Sequence, residues 1–248
     1  MQKMMSIIAR RGFKQTLDKA TRLIDASPSL LQEKANYKGE TARAVMGGAI
    51  ATSTLLGVPL GHNGSYHEGP TFAPPLVREA IWNDSTNSTT EEGKNLVDPR
   101  VFADVGDIPI QDLRNLGVNE DKLMNFISDS VKIVMDHAPL RPLIVGGDHS
   151  ISYPIVRAVS EKLGGPVDIL HFDAHPDLYE DFDNNYYSHA SPFARIMEGK
   201  YANRLIQVGI RSINDAGRQQ VEKYGVEIHE MRHFAKDRDY LENLFSFS

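Results

Sequence analysis

The 248-residue chain has no cysteine and a single tryptophan. Without a thiol there is no disulfide, no thiolate metal site and no cysteine nucleophile, so any metal must be held by histidine and carboxylate. Long apolar runs are missing too. The nearest approach, residues 45–60, is interrupted by Gly47, Gly48, Thr52, Ser53 and Thr54, short of the roughly 20 apolar residues a membrane-spanning helix needs. Positive charge is not in excess: 27 Lys and Arg against 33 Asp and Glu leave a formal net charge of −6. That balance speaks against nucleic acid or an anionic membrane as the principal partner. No internal repeat is visible, and the one polar low-complexity patch, residues 83–94, reads as an exposed loop.

The length, with 41% hydrophobic residues, suffices for one sizeable α/β domain with a full core. The amino terminus differs from the rest. Lys3, Arg10, Arg11 and Lys14 precede the first acidic residue, Asp18, with Arg22 beyond and Ile7, Ile8, Phe13 and Leu17 interleaved. A basic, acid-poor, amphipathic stretch of this kind reads as a mitochondrial transit peptide. Residues 1–25 are therefore expected to be a targeting segment, residues 26–248 the folded domain, and the protein mitochondrial. Asn63, Asn83 and Asn87 begin glycosylation sequons, but no secretory signal accompanies them and they read as chance matches.

Short apolar runs at 54–59, 101–108, 143–145, 167–172, 205–210 and 226–230 read as strands. Between them lie helical patterns. Leu123, Phe126, Ile127, Ser130, Val131 and Val134 recur at helical spacing behind Asn119, a natural cap. A second helix starts near Pro154 and stops at Gly164-Gly165; a third follows Asn214 and ends at Tyr224-Gly225. Strand–helix alternation of this length predicts a parallel sheet covered by helices. In such folds the chemistry sits at the carboxyl ends of the strands.

Two strand ends carry it. One run ends in Gly146-Gly147-Asp148-His149-Ser150, the other in Asp173-Ala174-His175-Pro176-Asp177. If the chain stays extended after residue 172, Asp173, His175 and Asp177 share one side. Two carboxylates crowded at the rim of a buried sheet would repel, and a divalent cation removes the conflict. Gly146 and Gly147 allow a tight turn that presents His149, with Asp148 better suited to orient its neighbour than to ligate. The double glycine lacks dinucleotide spacing and a following lysine, so a phosphate loop is not indicated. Imidazole with carboxylate and no sulfur favours Mn²⁺ over Mg²⁺ or Zn²⁺. The carboxylate count suggests two metals sharing a carboxylate and a bridging hydroxide. His62 and His67 lie in a Gly-rich loop and have no assigned role.

These two motifs resemble the signatures of the ureohydrolase (arginase/agmatinase) family. Further matches run through nearly the whole chain: Leu56-Gly57-Val58-Pro59, Gly69-Pro70, residues 73–78, Ser188-His189-Ala190-Ser191-Pro192-Phe193 and Val208-Gly209-Ile210-Arg211-Ser212. With the loop 87–93, the sequence is most similar to plant-type mitochondrial arginases. The resemblance implies a three-layer α/β/α arginase-type fold with a central, mainly parallel sheet. It implies hydrolysis of L-arginine to L-ornithine and urea by a hydroxide bridging two Mn²⁺ ions, in a homo-oligomer, a trimer or hexamer. By the same resemblance His149, Asp173 and Asp177 hold one manganese, and Asp173 bridges to the second, which His175 also binds. His189 matches the proton-shuttle position. The guanidino substrate would be met by His175, Pro176, Asp177, Leu178, Tyr179, Asn185 and Asn214, whereas Arg211 reads as structural.

The family's third motif, Ser-x-Asp-x-Asp-x-x-Asp-Pro, brings two more ligating aspartates and is not found here; residues 239–248 do not match the family's continuation. Relative to the family the chain is C-terminally truncated, and its sheet is expected to lack the last two strands. Agmatinase, acting on agmatine to give putrescine and urea, is the related alternative. A non-catalytic isoform that joins full-length subunits is another.

Overall fold

The computed structural model describes residues 52–98, 100–137, 140–234 and 236; the targeting expectation for residues 1–25 lies outside them. The chain forms two compact units, divided between Pro154 and Ile155.

In the first unit, β1 (Thr52–Val58) lies between β2 (Phe102–Asp107) and β3 (Leu140–Gly146). Both pairings are parallel, with Leu55 opposite Leu143 and Val58 opposite Gly146. Parallel neighbours cannot be joined by a tight hairpin. The connections here are α1 (Ala73–Trp82) from β1 to β2, then α2 (Ile110–Asn115) and α3 (Glu120–Asp136) from β2 to β3. Thr54, Leu55, Leu56 and Val58 are all buried, so β1 has no solvent face, as a central parallel strand should not. Helix α3 forms as the periodicity requires. Asn119 caps it by accepting from Lys122 N–H at 3.0 Å, and Leu123, Met124, Ile127, Val131 and Val134 are buried along one stripe. Each such side chain stabilises the fold by roughly 1.5–3 kcal/mol through removal from water.

In the second unit, β5 (Ala202–Ile210) lies between β4 (Val167–Phe172) and β6 (Glu227–Glu230), again with parallel pairings only. Helix α4 (Ser152–Leu163) spans the division between the units and stops at Gly164, whose φ of +79° suits a residue without Cβ. It is followed along the chain by α5 (Pro192–Glu198), α6 (Asp215–Tyr224) and the short α7 (Met231–Phe234). Asn214 caps α6 through Gly217 N–H at 2.9 Å, and Gly225 at φ +63° ends it.

All six expected strands are present, several reaching further than their apolar cores. Helices α1, α2, α5 and α7 were not among the expected ones. Both α1 and α5 carry proline in the first turn, a start signal that was available in the sequence. The strands pair in parallel as expected, and those described form two three-stranded sheets.

Candidate metal centre

The first metal motif follows directly from how β3 ends. Gly147 has φ +50°, and a Cβ there would fall 2.4 Å from the carbonyl oxygens of Val58 and Leu60. Only glycine lets the chain pass so close to the end of β1. Asp148 N–H then donates to Leu60 O at 2.6 Å. The Asp148 carboxylate is buried and accepts from Ser150 N–H (3.0 Å), Ser150 Oγ–H (2.5 Å) and Asn63 N–H (3.0 Å). It caps the 3-10 turn His149–Ile151, so Asp148 has the orienting part and the turn presents His149.

Residues with no assigned role in the sequence support this turn. Asn63 Nδ2 donates to Ser150 Oγ and to Glu120 Oε2, both at 3.4 Å, and His62 Nε2 lies 2.6 Å from Glu120 Oε1. Burial raises the Glu120 carboxyl pKa, but the hydrogen bond and charge of His62 outweigh it and leave the group below its ordinary range. Asn63 is buried and its amide is engaged, so its sequon offers no accessible acceptor. His67 lies with its ring centroid 3.8 Å from that of Tyr66.

The second motif does not stay extended. β4 ends at Phe172, Asp173 Oδ1 accepts from His175 N–H at 2.8 Å, and Ala174 O accepts from the backbone N–H of Arg211 (2.9 Å) and Ser212 (3.0 Å). Asp177 reaches φ +47°. The expected one-sided row of Asp173, His175 and Asp177 is thus replaced by a bend, because the aspartate side chain competes for a backbone donor two residues on.

The bend places the Asp173 carboxylate between two imidazoles. His175 Nδ1 is 3.3 Å from Oδ1, and His171 Nε2 is 3.4 Å from Oδ2. His171, on β4 and buried, was not picked out from the sequence; its offset of two from Asp173 along a strand direction was the available signal. Asp177 is a carboxylate only 8% exposed in a left-handed backbone conformation.

Other expected site residues are placed as follows. Pro176 O accepts from Gln207 Nε2 at 2.7 Å. Asp177 O accepts from Phe193 N–H (3.1 Å) and Ala190 O from Tyr179 N–H (3.2 Å), which ties the strand-end loop to the segment carrying His189. The Leu178 side chain is in the core with no exposure. Asn185 Oδ1 accepts from Tyr187 N–H at 3.0 Å, and Asn214 is the α6 cap. His189 Nδ1 lies 3.3 Å from Ser188 Oγ, and its ring meets Phe182 edge-on at 5.9 Å. His149 belongs to the first unit; Asp173, His175, Asp177 and His189 belong to the second.

The donor set passes a chemical test for a divalent cation. Asp173, His175 and Asp177 offer carboxylate and imidazole at a strand end, the donor types that suit a divalent cation. Parallel strands with such a set at their carboxyl ends define the class: an α/β protein with metal-ligating residue types where such folds place their sites. The chain belongs to the arginase family, whose model, described as Arginase family, matches residues 51–244. The mitochondrial arginase of Medicago truncatula is 65% identical over 253 residues, covering 97% of this chain and 75% of that protein. Arginase 2 of Arabidopsis thaliana, named chloroplastic/mitochondrial, is 69% identical over 223 residues, 90% of this chain and 64% of that one. The structure of an arginase from Medicago truncatula matches with a TM-score of 0.83 at 66% identity, over 91% of this chain and 71% of that chain. A formimidoylglutamase from Bacillus subtilis matches with a TM-score of 0.66 at 29% identity, over 79% and 59%. The chain therefore spans 64–75% of the length of these two curated arginases.

Proposed function

We propose that this chain serves arginase chemistry, the hydrolysis of L-arginine to L-ornithine and urea. The observation that carries the reading is its identity of 65% and 69%, over nearly its whole length, to proteins named arginase. His149, Asp173, His175 and Asp177 would hold two Mn²⁺ ions. Bound there, the metals would supply the positive charge that brings hydroxide within reach of neutral pH. His189 would carry a proton between the reacting groups and solvent. His175, Pro176, Asp177, Leu178, Tyr179, Asn185 and Asn214 would face the small guanidino substrate. A homo-oligomer, trimer or hexamer, and mitochondrial location complete the reading; the names of both curated relatives support the location.

Arginine and agmatine differ by one carboxylate, so steady-state urea release from each, with Mn²⁺ present, separates arginase from agmatinase. Asp173→Ala should abolish most Mn²⁺ binding, because it removes a carboxylate that would hold the metal; a variant with full metal content and normal turnover would refute the assignment.

A further inference from the structure

Gln207 is fully buried on β5, and its amide nitrogen has two neighbours: Pro176 O at 2.7 Å and His171 Nδ1 at 3.2 Å. A carbonyl oxygen can only accept, so the amide must turn its nitrogen, not its oxygen, towards Pro176. That contact removes the usual ambiguity between the two ends of the amide. The two amide hydrogens then serve two acceptors, of which the second is His171 Nδ1. An imidazole nitrogen that accepts is unprotonated, so in neutral His171 the proton sits on Nε2. Nε2 lies 3.4 Å from Asp173 Oδ2. The ring is 8% exposed and packs against Phe193, with centroids 4.3 Å apart, which fixes its plane.

We infer that His171 is a positioning residue for the Asp173 carboxylate: held by Gln207 as the Nε2–H tautomer, it places a protonated nitrogen beside Oδ2 and is not itself a metal ligand. The inference rests on the reading of Asp173 as a metal ligand. A ligating imidazole needs its lone pair on Nε2, which would put the proton on Nδ1, against the Gln207 amide. The opposite carboxylate oxygen, Oδ1, is already held by His175 N–H at 2.8 Å. A backbone donor holds one oxygen and the imidazole nitrogen lies 3.4 Å from the other, so the carboxylate is flanked on both sides before metal arrives. Outer-shell partners of this kind typically change metal affinity by about 10–100-fold when removed.

The test begins on the wild-type chain, residues 1–248, without metal. Two-bond ¹H–¹⁵N correlation on histidine-labelled protein should show His171 as one pure Nε2–H tautomer; an Nδ1–H form, or the mixture seen for a solvated imidazole, would overturn the inference. Titration with Mn²⁺ alone, followed by the electron paramagnetic resonance of the free ion, then reads the consequence. His171→Phe should weaken binding by about 10–100-fold, and His171→Gln, which keeps an N–H of similar reach, should restore much of it. Gln207→Glu, which accepts where Gln207 donates, should move the His171 proton to Nδ1 and weaken Mn²⁺ as well. Wild-type affinity in His171→Phe, or an unmoved proton in Gln207→Glu, would count against it. A wild-type chain that binds no Mn²⁺ would defeat the metal reading instead, while the tautomer is decided by the spectrum either way.

Discussion

Arg195 is a cation in the interior of the second unit, 3% exposed. Burying such a charge is unfavourable unless its donors are used. Nη1 donates to Glu180 O (2.6 Å) and Tyr186 O (3.0 Å), Nη2 donates to Glu198 Oε1 (2.7 Å), and the Tyr186 ring lies 3.5 Å from the guanidinium carbon. The planar fork thereby fastens residues 180–186 to α5, just ahead of His189. A lysine carries the charge but cannot span these acceptors together. Arg195→Lys should leave at least one buried carbonyl unpaired and cost about 2–3 kcal/mol, read as a lower urea midpoint. An unchanged midpoint would mean that the fork is not what holds this loop.

At the scale of elements, what matters is how helix ends are tied to the loops that carry chemistry. Asn214 spends its side chain on the first turn of α6, although the family resemblance places it near substrate. Asn214→Ala should lose about 1 kcal/mol of stability and Asn214→Ser only a few tenths, because serine also caps; equal losses on denaturation would rule out the capping account. The amino end of α3 is tied instead to the 62–63 loop through Glu120 and His62. A carboxyl whose folded pKa is depressed adds stability above its unfolded value, and that stability is lost as pH falls through the folded value. His62→Phe removes the main lowering influence on Glu120 and leaves the burial that raises it. The loss of stability that Glu120 contributes on acidification should therefore shrink or reverse, seen as a flatter fall of the urea midpoint from about pH 7 down to about pH 3. Superimposable pH profiles would show that the pair does not couple to folding. Helices α3 and α6 were legible in the sequence because cap, periodicity and stop signal agree; α2 and α7, at six and four residues, are too short to display a period.

For the whole molecule, the apolar strands are less covered than their sequences suggest. Leu143 on β3 is 49% exposed, and on β4 Leu170 and Phe172 are 45% and 65% exposed. Residues 170 and 172 fall on one face of β4, so that face presents hydrocarbon to water and invites association. Phe172→Ser should lower the binding of an apolar fluorescent dye, and self-association with it. Being exposed, the residue should change stability by no more than about 0.5 kcal/mol. Dye binding equal to that of the wild type would mean that this face is not open. The sequence by itself determined the strands, the parallel pairing and the two metal motifs, since these follow from local apolar runs, helix caps and glycines at strand ends. It also carried the family, because whole motifs match in order. Only the tertiary structure decided that His62, His171 and Gln207 stand behind the motifs. Those outcomes depend on which donor meets which acceptor across loops 36 to 58 residues apart in sequence, and periodicity has no access to contacts of that range.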